Sequence, residues 1–182
     1  ESTSTTWTGN AYNPQNGVNE ANVDAVGDAY AVNLSGTVDL TAGATYTLTF
    51  DVSGTEGRTI LAGIGESGGS YHNHVETVTL TATSQAIVLH LTAKHEAVGA
   101  DFGDATSRVI FDMGADLGAV NIDNVSLTAG HTGTANLGTS GNTTPVVTEL
   151  VTDGGFDEST STTWTGNAYN PQNGVNEANV DA

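Results

Sequence analysis

Short runs in which apolar and polar residues alternate recur along the chain, and they predict β-strands. In Thr45–Val52 the even positions Tyr46, Leu48, Phe50 and Val52 are apolar, and the odd positions are polar. Successive side chains of a strand point to opposite faces, so a period of two places these four on one face. The run predicts a half-buried strand, and helical periodicity is hard to find in the chain.

Similar runs between Gly-rich turns predict further strands. The predicted strands are Trp7–Tyr12, Tyr30–Leu34, Thr37–Leu40, Thr45–Val52, Arg58–Ile64, Glu76–Thr81, Ala86–Ala93, Ser107–Gly114, Ala119–Leu127 and Glu149–Thr152. A shift of phase between Ile122 and Val125 predicts a β-bulge in the strand that contains them. Many short strands joined by turns such as Ser35-Gly36 predict an all-β fold, a jelly-roll β-sandwich of roughly ten antiparallel strands.

One segment of the chain occurs twice. Glu1–Ala25 returns letter for letter as Glu158–Ala182, at an offset of 158 − 1 = 157 residues. This period is too long for a solenoid unit and suits a whole domain repeated in tandem. We therefore expect residues 1–128 to form one sandwich without its first strand. Residues 129–146, rich in Gly, Thr, Ser and Asn, are the expected linker, and 147–182 would open the next identical repeat.

The composition limits the partners that this chain can bind. The formal net charge is −18, and the fixed cations are Arg58, Lys94 and Arg108. So few cations argue against binding to nucleic acid and to anionic membrane surfaces, whereas the acidic character favours calcium and neutral partners. There is no cysteine, so no disulfide framework is expected. No apolar run is long enough to span a membrane.

Two motifs at the ends of the period resemble a known family. Glu149–Asp157 followed by Trp164 resembles the opening L-V-x-N-G-x-F-E…W motif of family 4/9/22-type carbohydrate-binding modules. Val120–Leu127 resembles their closing x-I-D-x-V-S-L strand. Three inner segments resemble modules attached to bacterial laminarinases, namely Tyr30–Leu34, Arg58–Gly65 and Ser107–Gly114. The resemblance implies a jelly-roll β-sandwich with a glycan-binding cleft and a structural calcium ion.

The resemblance also implies which residues would hold the calcium ion. They are Asp123 in the closing strand, Asp157 in the Gly-Phe-Asp motif, and the backbone carbonyl of Gly155. Oxygen ligands of this kind suit Ca²⁺, and the ion would join the first strand to the last. The alternative is that both aspartates lie in turns or on a solvated face.

A carbohydrate site takes an aromatic platform with fixed polar groups at its sides. The candidate binding residues are Trp7, Asn10, Tyr12, Tyr30, Arg58, Glu66, Tyr71, His72 and His74. The alternative places Trp7 in the core and Tyr30 at an edge. Arg58 and Arg108 would then be buried partners of carboxylates.

Other chemistry has weaker support in the sequence. His72 and His74 form an H-x-H pair with Glu76 nearby, which is a weak signal for zinc. Carboxylates are plentiful, but none stands in an enzyme-like acidic pair and there is no nucleophile elbow. We therefore expect a protein that is not an enzyme.

The leading hypothesis is a non-catalytic, secreted, tandemly repeated module that binds a β-glucan-type polysaccharide, such as a laminarin-like glucan, through Trp7 and the tyrosines. The alternative is a structural subunit of an extracellular filament or adhesin stalk. In that case strand Val147–Asp157 would complete the sheet of an identical neighbouring module, and modules would assemble head to tail. Both hypotheses place the protein at a cell surface or in an extracellular matrix.

Overall fold

The structure is a computed structural model that describes residues 7–130, 171–172 and 175–176. These residues form β-strands and one short 3₁₀ turn, Ala29–Ala31. The strands are β1 (Trp7–Thr8), β2 (Pro14–Gln15), β3 (Val18–Val23), β4 (Asn33–Val38), β5 (Thr45–Gly54), β6 (Thr59–Gly65), β7 (Asn73–Thr79), β8 (Gln85–Thr92), β9 (Lys94–His95), β10 (Ala100–Asp101), β11 (Ser107–Asp112), β12 (Gly118–Ala129), β13 (Pro171–Gln172) and β14 (Val175–Asn176).

The strands form two main antiparallel sheets with one core between them. A five-stranded sheet has the order β1-β4-β11-β6-β7, and a seven-stranded sheet has the order β13-β14-β2-β3-β12-β5-β8. Strands β9 and β10 form a separate hairpin. The prediction of an all-β sandwich of antiparallel strands is therefore confirmed.

The core contains the apolar side chains that the alternation selects. Tyr46, Leu48, Phe50 and Val52 of β5 are all at most 3% exposed. The ring of Phe50 meets the ring of Phe111 from β11 edge-on, with ring centroids 5.0 Å apart. Aromatic pairs in this geometry add to the stability that area burial provides. Packing between β5 and β11 therefore holds the two sheets face to face.

The first strands differ from the prediction. The predicted turn Ser35-Gly36 lies inside β4, which is paired with β11 across its whole length and therefore stays extended. The predicted strand Trp7–Tyr12 is extended only over β1. A hairpin, β2–β3, follows it, and its two-residue loop Asn16-Gly17 has positive φ values of 50° and 83°. Asn-Gly is the preferred loop of such hairpins, so this signal was present in the sequence.

The predicted bulge in the closing strand is confirmed. The pairing of β12 with β5 shifts register between Asp123 and Ser126, and Asn124 has a φ of 50°. The extra residue lets Ile122 and Val125 both point into the core, where they are 0% and 3% exposed. β12 continues to Ala129. Gly130, the next residue of the predicted linker, donates from its backbone N–H to the Thr45 carbonyl at 2.7 Å. Residues 131–146 of that linker, the predicted strand 149–152 and the strand 147–157 of the filament hypothesis lie outside the described residues.

Candidate functional site

Strand β11 presents a second face that does not contribute to the core. Val109 and Phe111 point into the core, so Arg108, Ile110 and Asp112 lie on the opposite face, which we call the outer face of the five-stranded sheet. Because β11 lies at the middle of this sheet, its outer side chains lie at the centre of that face.

A cleft of about 570 Å³ lies on this outer face. Two tyrosines and five further side chains line it, and we call it the tyrosine cleft. The lining residues are Tyr30, Asn33, Tyr71, Asn73, Arg108, Ile110 and Asp112. Tyr30 is 70% exposed and Tyr71 is 59% exposed. The volume is typical of a small-molecule site, and the lining combines exposed aromatic rings with polar groups.

The connection between β6 and β7 positions Tyr71. Its φ of +53° is uncommon for a residue other than glycine and marks a specifically held backbone. The Glu66 carboxylate accepts a hydrogen bond from the backbone N–H of His72 at 3.0 Å. Arg108 Nε donates to the backbone carbonyl of Glu66, also at 3.0 Å. The base of this connection is thus fixed to the floor of the cleft, which fixes where the Tyr71 ring can lie.

The 3₁₀ turn before β4 positions Tyr30. The Tyr30 hydroxyl donates to the Asp28 carboxylate at 2.7 Å, and that hydrogen bond raises the pKa of the phenol. Asn10 joins this turn to β4, since its Nδ2 donates to the Ala31 carbonyl at 2.6 Å. Its Oδ1 accepts from the backbone N–H of Asn33 at 2.8 Å. Asn10, a predicted binding residue, therefore braces the wall of the cleft and does not line it.

The polar floor of the cleft is built around Asp112. Asn33 Nδ2 donates a hydrogen bond to the Asp112 carboxylate, and Ser35 Oγ donates to Asn33 Oδ1 at 2.6 Å. Burial raises the pKa of Asp112, and the hydrogen bond from Asn33 and the charge of Arg108 oppose that rise. The floor thus offers a half-buried carboxylate and a guanidinium, two groups that can pair with ligand hydroxyls.

Two predicted aromatic binding residues lie in the core. Trp7 is 0% exposed and Tyr12 is 1% exposed. The Trp7 ring stacks on Phe111 with centroids 6.4 Å apart, because the pairing of β1 with β4 turns the indole toward the seven-stranded sheet. Their prediction as binding residues is corrected here, since neither ring is accessible to a polysaccharide.

Arg58 is likewise a structural residue. It is 4% exposed, and its guanidinium donates to the carbonyls of Met113, Asp116 and Leu117. Burial lowers its pKa, and the nearby charge of Asp116 opposes that effect. Arg58 therefore holds the connection between β11 and β12 in place, and its predicted role in the cleft is corrected.

The predicted histidines lie next to the tyrosine cleft and do not line it. His72 packs on His95 with ring centroids 5.3 Å apart. His74 Nε2 lies 3.6 Å from a Glu76 oxygen and 3.4 Å from a Glu96 oxygen. Within the described residues, no three His, Cys, Asp or Glu side chains are arranged to hold a metal ion.

The calcium prediction is covered only in part by the described residues. Asp123 lies directly across from Asp51 in the β12–β5 pairing, at the bulge. Asn124 Nδ2 donates to the Asp51 carboxylate at 2.8 Å. Two carboxylates therefore lie on neighbouring strands here, whereas Ca²⁺ takes about six to eight oxygen ligands. The other two predicted ligands, Gly155 and Asp157, lie outside the described residues, so calcium binding stays a prediction.

The sequence interpretation missed most of the cleft floor. Asn33, Asn73, Ile110 and Asp112 were not among the predicted binding residues, and Arg108 was considered only as a buried ion-pair partner. For the residues of β11, the available signal was their place in the alternating pattern, between the residues that point into the core. In β11 the core residues take one set of alternate positions, and the residues between them are Arg108, Ile110 and Asp112. Polar residues on the outer face are usual for a sheet with one solvated side, so the pattern places Arg108 and Asp112 on that face without marking it as a binding surface.

Comparison with known proteins shows the fold that this arrangement belongs to. No protein-family model matches the chain, and no curated protein sequence matches it. Among solved structures it is similar to one described as CBM4, with a TM-score of 0.53 and 22% identity, over 62% of this chain and 71% of that one. It is also similar to the second N-terminal cellulose-binding domain of Cellulomonas fimi β-1,4-glucanase C. That match has a TM-score of 0.54 and 24% identity, and it covers 69% of this chain and 86% of that chain.

These likenesses confirm the resemblance to family 4/9/22-type carbohydrate-binding modules at the level of the fold. They do not bear on the link to laminarinases. In the described part of the chain there is no helix with the length and apolar character that crossing a membrane would need.

Proposed function

We propose that the tyrosine cleft binds carbohydrate, and specifically a neutral polysaccharide of the β-glucan class. The observation that carries the proposal is that Tyr30 and Tyr71, two strongly exposed aromatic residues, line one cleft with a polar floor. Apolar surface that is gathered in one groove and rimmed by polar groups marks a ligand-binding site, whereas single exposed apolar residues do not. The fold shared with cellulose-binding domains supports the same proposal.

The chemistry of the cleft suits a sugar chain. The C–H faces of pyranose rings are apolar and pack on flat aromatic rings, while the ring edges carry hydroxyl groups. The phenol rings of Tyr30 and Tyr71 provide the apolar contact. Asp112 and the amide oxygens of Asn33 and Asn73 can accept hydrogen bonds from hydroxyls, and Arg108 can donate them. A neutral ligand also avoids repulsion from a chain whose formal net charge is −18.

The same site supports binding without catalysis. Among the described residues that line the cleft, Asp112 is the only carboxylate. Glycoside hydrolysis generally uses two carboxylates on opposite sides of the scissile bond. The proposed protein is therefore a non-catalytic module acting where polysaccharide is found, in the secreted or extracellular space.

Affinity electrophoresis tests this proposal directly. The protein is run in gels that contain laminarin, a soluble cellulose derivative, or no glucan, and retardation by at least one glucan is expected. Tyr71→Ala and Tyr30→Ala should each weaken binding about tenfold or more, as expected when a central aromatic contact of about 1.4 kcal/mol is lost. Val88→Ala is the control, because Val88 is 56% exposed and lies on β8, the edge strand of the seven-stranded sheet.

Two results would overturn the proposal. One is that no β-glucan retards the folded wild-type protein. The other is equal retardation of the wild type and both tyrosine variants, which would place the contact elsewhere. Circular dichroism of each variant shows that a loss of binding does not reflect a loss of fold.

A further inference from the structure

The described parts of the duplicated segment pair in the same way in both copies. In the first copy, β2 and β3 pair as Pro14 with Asn19 and Gln15 with Val18. In the second copy, β13 and β14 pair as Pro171 with Asn176 and Gln172 with Val175. Subtracting the period of 157 residues from the second set gives the first set. The described strands of the two copies therefore pair in the same register.

The first copy fills a defined place in the sandwich, which we call the segment slot. It lies between the edge of β4, which pairs with β1, and the edge of β12, which pairs with β3 from Asn19 to Val23. Trp7 fills its core side and is 0% exposed. Buried Asn19 fixes the segment internally, since its Nδ2 donates to the carbonyl of Ala11 at 3.0 Å.

The described strands of the second copy, β13 and β14, lie next to this slot. Val175 of β14 pairs with Gln15 of β2, so the second hairpin extends the seven-stranded sheet at its edge. Only β2 separates β14 from β3, which is the equivalent strand of the first copy. Neighbouring strands are about 4.8 Å apart, so β14 lies about 10 Å from β3, the strand that carries the same sequence in the first copy.

We propose that the segment slot accepts either copy, and that residues 158–182 fill it in the same chain when the first copy cannot. The two segments have identical side chains, so their contacts inside the slot are equal in strength. Chain connectivity alone then selects between them. The first copy joins directly to the residues that follow it, whereas the second is tethered through a longer segment. Loop-closure entropy therefore favours the first copy in the wild type.

Single substitutions in the full chain distinguish this proposal from the alternative that the second copy never occupies the segment slot. Trp7→Asp places a charge in the core and bars the first copy from the slot. It also leaves Trp164 as the only tryptophan, so fluorescence reports on the second copy alone. We expect Trp7→Asp to keep a cooperative thermal transition within a few degrees of wild type, with blue-shifted emission typical of a buried indole and a monomeric mass in solution.

Three further variants serve as controls. Trp164→Asp should leave the melting temperature unchanged, because the first copy still fills the slot. The double variant Trp7→Asp/Trp164→Asp has no competent copy and should lose about 10 °C or more, or fail to fold. Phe111→Ala removes the unduplicated ring that stacks on Trp7, and it should be destabilised because the chain holds no second copy of β11.

Three outcomes would contradict the proposal. The proposal fails if Trp7→Asp is as unstable as the double variant, or if its remaining tryptophan emits like an exposed indole. It also fails in its stated form if Trp7→Asp is folded but dimeric, since the slot would then be filled from a second chain. None of these measurements depends on carbohydrate binding, so this proposal and the proposed function can fail independently.

Discussion

Asp112 is a residue whose burial works against the stability of the protein. Because burial raises its pKa in the folded state, the folded protein binds this proton more tightly than the unfolded chain does. The contribution of Asp112 to stability is therefore most favourable at low pH and declines as the pH rises through the folded-state pKa. Such a cost is typical of groups retained for binding.

Asp112→Asn should therefore raise the melting temperature at neutral pH. The asparagine oxygen can still accept the hydrogen bond from Asn33, and the charge that burial disfavours is gone. The gain should shrink as the pH falls toward the ordinary aspartate value of about 3.9. Thermal unfolding followed by circular dichroism across this range measures the effect.

Asp116 provides the matched control for this prediction. Hydrogen bonds from Thr59 lower its pKa, so its contribution is present above the unfolded-state pKa and is lost as the pH falls through the folded-state pKa. Asp116→Asn should lower the melting temperature at neutral pH. The difference in melting temperature from the wild type should disappear as the pH is lowered. If both variants showed the same pH trend, the assignment of Asp112 as a destabilising group would be wrong.

At the scale of single elements, alternation predicted the long strands well because one face of each is buried. Strand β5 and the bulge in β12 show this clearly. The pattern could not say whether Trp7 faces the core or the solvent, because a tryptophan suits both places. Its position is fixed by the pairing of β1 with β4. Tyr30 and Tyr71 were predicted as binding residues, but the cleft floor depends on which strands neighbour β11, which no local pattern encodes.

The bulge in β12 is the element at which the calcium prediction can be tested. Asp123 and Asp51 face each other across β12 and β5, and like charges directly opposite each other are destabilising. A bound Ca²⁺ would remove that repulsion and stabilise the folded state by mass action. We therefore expect millimolar Ca²⁺ to raise the melting temperature relative to EDTA, and we expect Asp123→Asn to abolish the difference.

Magnesium at the same concentration is the control for this experiment, because it provides the same charge but prefers a smaller, octahedral site. Equal stabilisation by the two ions would indicate charge screening and would remove the case for a calcium site. The variant Asp24→Asn carries the same charge change at an exposed position on the chain and should retain the calcium effect.

For the whole molecule, the dominant electrostatic feature is the formal net charge of −18. Net charge of one sign destabilises a compact state through self-repulsion. Among the described residues, the one ion pair with a fixed cation joins Lys94 to Asp101 at 3.9 Å, with both side chains at least half exposed. An exposed pair of this kind contributes at most about 1 kcal/mol. Attraction between fixed charges therefore offsets little of the repulsion.

Added sodium chloride should accordingly stabilise the folded protein. Raising the ionic strength from about 0.01 to 0.15 M shortens the screening length from about 30 to 8 Å, which weakens repulsion across the whole surface. The melting temperature, measured in EDTA to exclude calcium, should rise over this range and level off once repulsion is screened. A melting temperature that falls with salt would instead show that specific ion pairs dominate, and the three fixed cations would then matter more than their number suggests.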